Sequence, residues 1–467
     1  MPSPQILPIR YCADSQDYFQ NLHPLPGSVW LDSGNPRRYN ARYDILSALP
    51  REQISSMSTG CQIQYRDGRL ENVSITAIAC LESHLANLRL TQSYDTVKTN
   101  DRTGDRPFTG GAIGYLSYEA MHGQFGLDTD ADGRPALPDV YFGLYDWALI
   151  QDHLKCESYL YFLDDCPTDV VDHVQQQLAA SAIVTPSFTC GPLLPDISLQ
   201  AYLDRVERAQ AYIRAGDCYQ VNFTQRFVGE FSGSTAAAYL RLRDALPSPF
   251  SAYMSTPAGT LLSLSPERFV ELNGRQVLTQ PIKGTAPRGR SPDEDDALAR
   301  ELQASEKNRA ENVMIVDLLR NDLSKVCQPF SVQVPELFSL QTFANVHHLV
   351  STVTGTLRDG VSPFDLLMAC FPGGSITGAP KKRAMEIIDE LEEHKRSVYC
   401  GSVITMSLNG RMDSNIAIRT LVQADEHIYC WGGGGIVADS DPEMEYQESL
   451  HKIGLLLDTL HTDLYRA

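Results

Sequence analysis

Residues 398–431, with the sequence VYCGSVITMSLNGRMDSNIAIRTLVQADEHIYCW, decide the fold class of this chain. They contain three strand-like runs, at Val398–Ser407, Met412–Gln423 and His427–Trp431. A few residues separate each run from the next, whereas the crossover between two parallel strands needs a dozen or more. Consecutive runs are therefore expected to pair as antiparallel neighbours. We predict an α+β fold, in which large antiparallel sheets flanked by helices pack as a sandwich.

The chain before these runs divides into two regions. The N-terminal region, residues 1–180, alternates strand-like segments with polar turns, and its strongest strand candidates are Gly110–Tyr118 and Asp139–Ile150. Residues 181–196, with scattered Pro, Ser and Thr, are expected to connect it to a second region at residues 197–460, in which strands and helices alternate. Three helices of the second region are predicted at about Asp293–Leu323, Thr377–Glu393 and from Asp441 onward.

The composition limits what the chain binds. Its 467 residues carry 39 Lys and Arg against 58 Asp and Glu, which gives a net charge of −19. Because no basic cluster is present, nucleic acid and anionic membranes are not expected as partners, and an anionic substrate needs a local cationic pocket or a metal. Eleven cysteines without a CxxC pair predict reduced, mostly buried thiols. No apolar run is long enough to span a membrane and no signal-peptide pattern is present, so a cytoplasmic protein is expected.

The pentapeptide Pro281-Ile-Lys-Gly-Thr285 places a lysine between a predicted strand, Arg275–Gln280, and a turn rich in Gly, Pro and Arg. At that junction the amine of Lys283 could face a cleft. An amine is a nucleophile only when deprotonated, and burial or a neighbouring cation lowers a lysine pKa from about 10.4. On the pentapeptide alone a surface lysine is the simpler interpretation, since Lys is mostly exposed.

Two further titratable residues lie near Lys283 in the predicted sheet. Glu267, one strand and a turn earlier, would share a sheet face with Lys283 if a hairpin joins them, and that geometry suits acid–base catalysis. The alternative is an edge-strand carboxylate that is solvated or paired with Arg268. His348 lies on a predicted strand among apolar residues, where a buried structural histidine is more common than a catalytic one.

Glu311 and Glu448 lie on predicted helices far apart in the sequence. Two carboxylates that meet across a cleft are the usual protein share of a Mg²⁺ site, which water and substrate oxygens complete. Taken singly, a glutamate on a helix is far more commonly a solvated surface residue. Glu311 directly precedes an apolar run at residues 312–322, which predicts a buried helix with polar residues held at one end.

Two glycine-rich segments suggest contacts between backbone and ligand. Residues 371–382 form an entry into a helix, where free N–H groups and the helix dipole suit an anion such as a carboxylate. Residues 431–436 follow a predicted strand, and four consecutive glycines there fit close approach to a flat ligand, while a bulge or turn explains them equally well. Neither segment has the spacing of a Walker loop or of a GxGxxG dinucleotide motif.

Together these segments resemble the chorismate-utilising enzymes, the family that includes the large subunits of anthranilate and aminodeoxychorismate synthases. The resemblance is strong over residues 197–460 and looser before them. The matching motifs are DCYQVN at 217–222, SPE at 265–267, PIKGT at 281–285, IVDLLRND at 315–322, HLVS at 348–351, GAPK at 378–381, IRT at 418–420 and the stretch from the glycines 433–435 to Glu448.

The resemblance implies roles for individual side chains. In this family a metal on two glutamates binds the ring carboxylate of chorismate, so Mg²⁺ is the expected cofactor and Glu311 and Glu448 are its expected ligands. Lys283 is the expected nucleophile, Glu267 the expected acid, and His348 matches a position near the reacting ring whose role stays open. The positions that match substrate-binding residues are Gly284, Thr285, Tyr399, Arg419, Gly433, Gly434, Gly435 and Lys452.

Two positions decide the branch of the family. Where this chain has Lys283, the aminodeoxychorismate enzymes that act through a covalent adduct have Lys, and the anthranilate synthases have Ala. Where it has Gln220, isochorismate and salicylate synthases have the Lys that activates water. The resemblance therefore implies amino transfer to chorismate through a covalent Lys283 intermediate, which yields 4-amino-4-deoxychorismate for 4-aminobenzoate and folate synthesis. The alternative is the first subunit of an anthranilate synthase.

No glutaminase signature is visible, because the chain lacks a Cys nucleophile in a glycine-rich elbow with a downstream His-x-Glu. A separate glutamine amidotransferase subunit, which forms a heterodimer with this chain and supplies ammonia, is therefore expected. The family's N-terminal part also forms a tryptophan pocket, although residues 35–39 depart from its pattern. The positions that match its walls are Ser33, Asn40, Ala41, Arg42, Tyr43, Pro249, Phe250 and Ser251.

Overall fold

The computed structural model describes residues 4–35, 41–91, 106–127, 135–180, 187–343 and 346–461. In these ranges 25 strands form two sheets, one of 13 strands and one of 12. All strand pairs within the described ranges are antiparallel. The predicted α+β fold with large antiparallel sheets is thus confirmed.

The strands in chain order are β1 Gln5–Ile9, β2 Val29–Asp32, β3 Tyr43–Ser47, β4 Glu52–Ser56, β5 Cys61–Tyr65, β6 Leu70–Val73, β7 Gly111–Leu116, β8 Val140–Tyr145, β9 Trp147–Asp152, β10 Glu157–Phe162, β11 Phe188–Cys190, β12 Leu194–Pro195, β13 Gln220–Gly233, β14 Phe250–Thr256, β15 Gly259–Ser265, β16 Arg268–Asn273, β17 Gln276–Gln280, β18 Ile282–Pro287, β19 Gln333–Thr342, β20 Val346–Thr356, β21 Gly378–Ala379, β22 Ser402–Ser407, β23 Met412–Asn415, β24 Thr420–Ala424 and β25 His427–Ile436.

The α-helices are α1 Gln16–Leu22, α2 Ala77–Thr91, α3 His122–Phe125, α4 Thr168–Ala179, α5 Leu199–Ala215, α6 Thr235–Ala245, α7 Pro292–Ala304, α8 Glu306–Ser324, α9 Pro363–Cys370, α10 Lys381–Leu391 and α11 Pro442–Leu460. Within the described ranges, single turns of 3₁₀-helix lie at Tyr118–Met121 and Gly374–Ile376. No described helix is both long and apolar enough to cross a membrane. All eleven cysteines are thiols and eight of them are buried, which agrees with the expectation of reduced, mostly buried thiols.

Each sheet combines strands from both regions of the chain. The first sheet has the order β1, β10, β9, β3, β2, β14, β15, β24, β25, β13, β11, and β12 and β21 also pair with β13. The second has the order β18, β20, β17, β16, β23, β22, β7, β8, β4, β5, β6, and β19 also pairs with β20. The two regions join where β2 pairs with β14 and where β7 pairs with β22. Residues 1–180 and the residues after 187 therefore share both sheets.

Alternation along β14 shows where the core lies. Ala252 and Met254 belong to the larger buried cluster, which takes side chains from both sheets and so fills the space between them. Tyr253 belongs to a second cluster, to which helices α1, α4, α6 and α11 contribute. Because successive residues of a strand face opposite sides of the sheet, the first sheet has one face toward the second sheet and the other toward these helices.

The three predicted helices are present, with changes at their ends. The stretch predicted at residues 293–323 is two helices, because Ser305 ends α7 and caps α8 by accepting a hydrogen bond from the Asn308 N–H. Helix α10 begins at Lys381, directly after Pro380, and not near Thr377. Asp441 caps α11 through the N–H of Met444 at 2.9 Å.

The run Met412–Gln423, which its pattern predicts to be one strand, is not a single strand. It divides into β23 and β24, which belong to different sheets, so the chain crosses from the second sheet to the first between Asn415 and Thr420. Arg419 lies in this crossing with a φ of +50°. The antiparallel pairs β22–β23 and β24–β25 on either side of the crossing agree with the prediction.

The expectation that the glycines of residues 431–436 follow a strand is wrong. They lie inside β25, which pairs with β13 in one unbroken register from His427 to Ile436. The same register excludes the alternative of a bulge or turn at these residues.

Candidate active site

Lys283 lies on β18 at the edge of the second sheet, where the ladder to β20 loses register between Ile282 and Thr285. Such an irregularity re-aims a side chain, and Gly284 supplies a φ of +89° that side-chain-bearing residues rarely adopt. The Lys283 amine donates to the backbone carbonyl of Ser375, with 3.0 Å between Nζ and O. The bulge thus directs a half-buried lysine toward the 3₁₀ turn.

The surroundings of Lys283 favour its neutral form. Burial lowers the pKa of this amine from its ordinary value, although nearby carboxylates oppose the shift. The charged groups that act on it are Glu311, Glu267, Lys452 and Glu448. An amine with a lowered pKa has a larger neutral fraction near pH 7 and is a better nucleophile there.

Glu267 is the second buried group of the site, with 4% of its surface exposed. Burial raises the pKa of this carboxyl to about 7, although Lys283 and hydrogen bonds from the Ser375 hydroxyl and the Ile282 backbone act in the opposite direction. A carboxyl with this pKa can hold and release a proton near neutral pH. Arg268 binds Glu271 and Asp413, so the structure does not show the alternative pairing of Glu267 with Arg268.

Ser375 is a residue of this candidate site that the sequence did not single out. It contacts both groups at once, since its carbonyl accepts from the Lys283 amine and its hydroxyl bonds to the Glu267 carboxyl. It belongs to the glycine-rich segment predicted to bind an anion. In the structure the N–H groups of Ile376 and Thr377 already donate to the carbonyls of Gly373 and Gly374, so these two are not free for that purpose.

His348 faces β18 across the ladder to Thr285. Its Nδ1 lies 2.8 Å from the Thr285 hydroxyl, and 2% of the residue is exposed. Burial, with the neighbouring charge of Arg419, lowers the pKa of His348 to about 3. The imidazole is therefore neutral at physiological pH, so it can donate or accept a hydrogen bond but carries no charge.

Arg419 is a cation without a counter-ion. Burial lowers the pKa of its guanidinium, and none of the carboxylates in the described residues pairs with it. Arg cannot be deprotonated near neutral pH, so a charge held this way is a site for an anion. The strained backbone of Arg419, at the crossing between the sheets, places that charge beside His348.

The glycines of β25 let charged side chains of α11 approach the first sheet. The Lys452 amine donates to the carbonyl of Gly433 at 3.0 Å. A Cβ on Gly434 would lie 3.3 Å from both the Lys452 amine and a carboxyl oxygen of Glu445, and 3.7 Å from Glu448. A side chain in place of Gly434 would therefore fill the space where Lys452, Glu445 and Glu448 meet.

Tyr399 lies against the same strand. Its ring stacks on Trp431 with 5.9 Å between ring centroids and 7° between planes. Burial raises the pKa of Tyr399 well above its usual value, so its hydroxyl stays protonated and remains a hydrogen-bond donor.

Three glutamates approach the site from two helices. Glu448 of α11 binds Lys452 at 2.7 Å, and although burial acts in the opposite direction, Lys452 and other lysines lower the pKa of Glu448. Burial, together with the charge of Glu448, raises the pKa of Glu445. Glu311 of α8 acts on Lys283 more strongly than any other charge.

These glutamates fit a hard cation in their donor chemistry, since Mg²⁺ prefers carboxylate oxygens and keeps part of its water. Within the described residues no three His, Cys, Asp or Glu side chains converge as a ready-made metal centre. A magnesium ion here would take Glu311 and Glu448 and complete its shell with water and substrate oxygens.

Gln220 begins β13 beside Gly435 and is fully buried. A Cβ on Gly435 would lie 2.5 Å from its amide nitrogen. Neither the nitrogen nor the oxygen of this amide has a hydrogen-bond partner. Such groups are costly to bury, and no lysine or carboxylate stands at this position to activate water.

A separate cavity of about 140 Å³ lies between the two sheets, where the regions of the chain join. Of the residues predicted to form a tryptophan pocket, Asn40 lies outside the described residues. The others all line this one cavity and are Ser33, Ala41, Arg42, Tyr43, Pro249, Phe250 and Ser251. Arg268 and Asp413 also line it, so its wall reaches the residue next to Glu267.

Comparison with known proteins gives one consistent result. The profile of a protein family described as chorismate binding enzyme matches residues 38–458. The chain is 42% identical to aminodeoxychorismate synthase component 1 of Klebsiella aerogenes over 99% of this chain and 100% of the relative. It is 41% identical to the protein of that name from Salmonella typhimurium, over 98% of both chains. The crystal structure of anthranilate synthase component I from Streptococcus pneumoniae superimposes with a TM-score of 0.74 at 29% identity and covers 90% of this chain and 93% of that one.

Proposed function

The chain belongs to the family of chorismate binding enzymes, and from that membership we propose that it converts chorismate and ammonia to 4-amino-4-deoxychorismate. Relatives about 40% identical over their full length carry the name of that synthase. The reaction is an amino-group transfer that replaces the C4 hydroxyl of chorismate, and it supplies the precursor of 4-aminobenzoate for folate synthesis.

The observation that supports this proposal most directly is the pair of Lys283 and Glu267. Burial favours the neutral amine of one and the neutral carboxyl of the other, and Ser375 contacts both. Hydroxide is a poor leaving group, so its replacement by ammonia needs a proton donor and gains from a nucleophile that divides the reaction into two displacements.

In the first step the neutral amine of Lys283 attacks C2 of chorismate. The two conjugated ring double bonds shift, from C1=C2 and C5=C6 to C1=C6 and C4=C5, the C4–O bond breaks, and the proton of the Glu267 carboxyl leaves with the oxygen as water. This step leaves a positively charged secondary amine that joins Lys283 to C2, and a Glu267 carboxylate.

In the second step ammonia attacks C4. Both ring double bonds shift back, the C2–N bond breaks, and Lys283 leaves as a neutral amine. The new C4 ammonium group gives one proton to the Glu267 carboxylate, which restores the acid. The balance is one chorismate and one ammonia consumed for one aminodeoxychorismate and one water formed.

The remaining residues bind and orient the substrate in this proposal. Arg419 and Tyr399, with the backbone of Gly433–Gly435 and the amine of Lys452, hold the carboxylates of chorismate. Gly284 and Thr285 form the wall beside Lys283, and neutral His348 orients the Thr285 hydroxyl at 2.8 Å. Mg²⁺ held by Glu311 and Glu448 would neutralise the ring carboxylate.

Ammonia would come from a glutamine amidotransferase subunit. The relatives are named component 1, which supports a second component, and a buried Gln220 without a neighbouring base supports ammonia over water as the incoming group. Neutral ammonia needs no activation beyond loss of one proton after attack, whereas water needs a base before attack.

The test is product identification. The purified chain, with chorismate, Mg²⁺ and an ammonium salt, is expected to release 4-amino-4-deoxychorismate, which mass spectrometry separates from anthranilate because it retains the enolpyruvyl group. Anthranilate as the main product would replace this proposal with the alternative branch of the family. If neither product forms at saturating ammonium, both assignments are rejected.

A further inference from the structure

Arg396 is a buried cation that no step of the proposed reaction uses. It is 1% exposed and lies between α10 and β22. Its guanidinium makes four hydrogen bonds, two to the carboxylate of Glu392 and two to backbone carbonyls. The guanidinium is therefore held both by an ion pair with Glu392 and by two backbone carbonyls.

The two carbonyls belong to two segments that reach the active site. Nη1 donates to the carbonyl of Ile376 at 2.8 Å, and Ile376 directly follows Ser375, whose carbonyl receives the Lys283 amine. Nη2 donates to the carbonyl of Asn222 at 2.6 Å, and Asn222 pairs with Gly435 in the ladder of β13 and β25. One side chain thus links the turn that accepts from the Lys283 amine to the strand that pairs with the glycines of β25.

The counter-ion is tied to the same strand, β13, as well. The Glu392 oxygen that receives Nη2 also accepts from the N–H and hydroxyl of Thr224, at 2.8 and 2.9 Å. Thr224 pairs with Gly433 in the same ladder. The backbone N–H of Arg396 donates to Glu119 at 2.7 Å, which ties the same residue to the N-terminal region.

We propose that Arg396 is a positioning residue that sets the separation between Lys283 and the substrate held on β25, by holding the carbonyls of Ile376 and Asn222 on one guanidinium. This inference rests on the proposed function, because it assigns Lys283 and the glycines of β25 to the two sides of one reaction. A displacement of about 1 Å between reacting groups costs on the order of 10²-fold in rate.

Lysine cannot replace Arg396 in this role. The planar guanidinium presents donors in a rigid fork, whereas an ammonium group is a compact charge on a flexible stem. The variant Arg396→Lys keeps the charge beside Glu392 but cannot reach both carbonyls and the carboxylate together. The Asn222 N–H also donates to the backbone carbonyl of Thr377 at 2.8 Å. Because this bond holds the backbone beside the turn without Arg396, the variant is expected to fold.

The matched control is Arg226→Lys. Arg226 lies on the same strand as Asn222, is buried like Arg396, and binds the carboxylate of Asp196 and the ring of Tyr429. Both variants change a buried Arg in an ion pair to Lys. An effect on stability alone should therefore be similar in the two.

The first readout is amide hydrogen exchange followed by mass spectrometry, which needs no activity. In Arg396→Lys the peptide that covers residues 371–380 is expected to exchange at least about tenfold faster than in the parent and in Arg226→Lys. Equal exchange in all three proteins would overturn the proposal even if the activity of Arg396→Lys is low.

The second readout is the split between kcat and KM with chorismate and ammonium. Arg396→Lys is expected to lose about 10²-fold in kcat with KM for chorismate within about threefold of the parent. A kcat within threefold of the parent, or an equal loss in Arg226→Lys, would show that Arg396 has a structural role only. If Arg396→Lys does not fold, Glu392→Gln serves instead, and it is expected to change the same two readouts in the same direction.

The two proposals fail in different ways. If the parent chain makes no aminodeoxychorismate, the proposed function is rejected. If the parent is active and loop exchange in Arg396→Lys is unchanged, only the positioning role is rejected.

Discussion

Burial drives Lys283 and Glu267 toward their neutral forms, although the charged form of each would stabilise the charged form of the other. In water an amine and a carboxyl this close would form an ion pair. Here the loss of hydration outweighs their attraction, which favours the protonation states that an attack by nitrogen and a departure of oxygen require.

The first prediction concerns the pH profile. The active form has neutral Lys283 and protonated Glu267, so at constant free ammonia kcat/KM is expected to rise as the lysine loses its proton and to fall as the carboxyl loses its own. Because the pKa of Glu267 is about 7, one inflection should lie near that pH. This inflection should be absent from the pH profile of the residual activity of Glu267→Gln. If the variant's profile still shows it, the inflection belongs to another group.

The second prediction concerns stability. The pKa of Glu267 is raised from about 4.5 to about 7, so the folded chain binds more protons than the unfolded chain between these pH values. The stability that the protonated Glu267 carboxyl contributes is fully present below pH 4.5 and is lost as the pH rises through 7. Glu267→Gln is therefore expected to raise the free energy of unfolding at pH 8 by about 1–3 kcal/mol, with a smaller change at pH 5.

Denaturation in urea at both pH values measures this difference. The control is Glu207→Gln, a change at an exposed position of α5, which should alter neither value by more than about 0.5 kcal/mol. A Glu267→Gln protein that is less stable than the parent at pH 8 would contradict the burial argument.

The third prediction tests Lys283 as a nucleophile. Lys283→Ala is expected to lose at least about 10³-fold in kcat while chorismate binds within a few-fold of the parent affinity. Lys283→Arg should be no better, because a guanidinium stays protonated at any working pH. Near-parent activity of the Arg variant would show that the position supplies charge, and would end the covalent mechanism but not the assignment to the family.

The fourth prediction concerns the metal. Glu311→Ala and Glu448→Ala are each expected to weaken Mg²⁺ binding by at least about 10²-fold in calorimetry, and to lose activity that excess chelator also abolishes in the parent. Glu301→Ala, at an exposed position of α7, is the matched control. Full turnover of the parent in excess chelator would remove the metal from the proposal.

The fifth prediction concerns the amino donor. The isolated chain is expected to use ammonium salts, with a rate that follows the concentration of free ammonia as the pH rises, and to give no product with glutamine. Isotope-labelled glutamine with product mass analysis makes the test direct. Incorporation of the label by the pure chain would show that it contains a glutaminase site.

The approach of Glu267 to Lys283 could be anticipated because both lie in short motifs close in the sequence. The expected hairpin does not place them on neighbouring strands, however, since Glu267 directly precedes β16, and β17 and β20 lie between β16 and β18. Ser375 could not be predicted in the same way. Its contact with Lys283 is a backbone carbonyl, which every residue has, and only the path of the chain selects this one.

The glycines of β25 show where propensity fails. Gly432–Gly435 have little intrinsic preference for a strand, and the sequence favoured a turn or strand end. Pairing with β13 on one side and the close approach of Lys452 and Glu445 on the other decide the outcome, because context outweighs β-propensity. Alternation in Met412–Gln423 likewise cannot show a change of sheet, since strands in both sheets have the same period.

The shared sheets have a consequence for the newly made chain. Leu116 pairs with Ser402, and a ribosome needs on the order of 15–60 s to make the residues between them at about 5–20 residues per second. During that time β7 is an open edge whose N–H and C=O groups are free to pair with another chain, and β2 is an open edge until β14 has been made. Folding of this protein can finish only when its last third has left the ribosome, so its yield in the cell should depend on holding chaperones and on slow synthesis at lowered temperature.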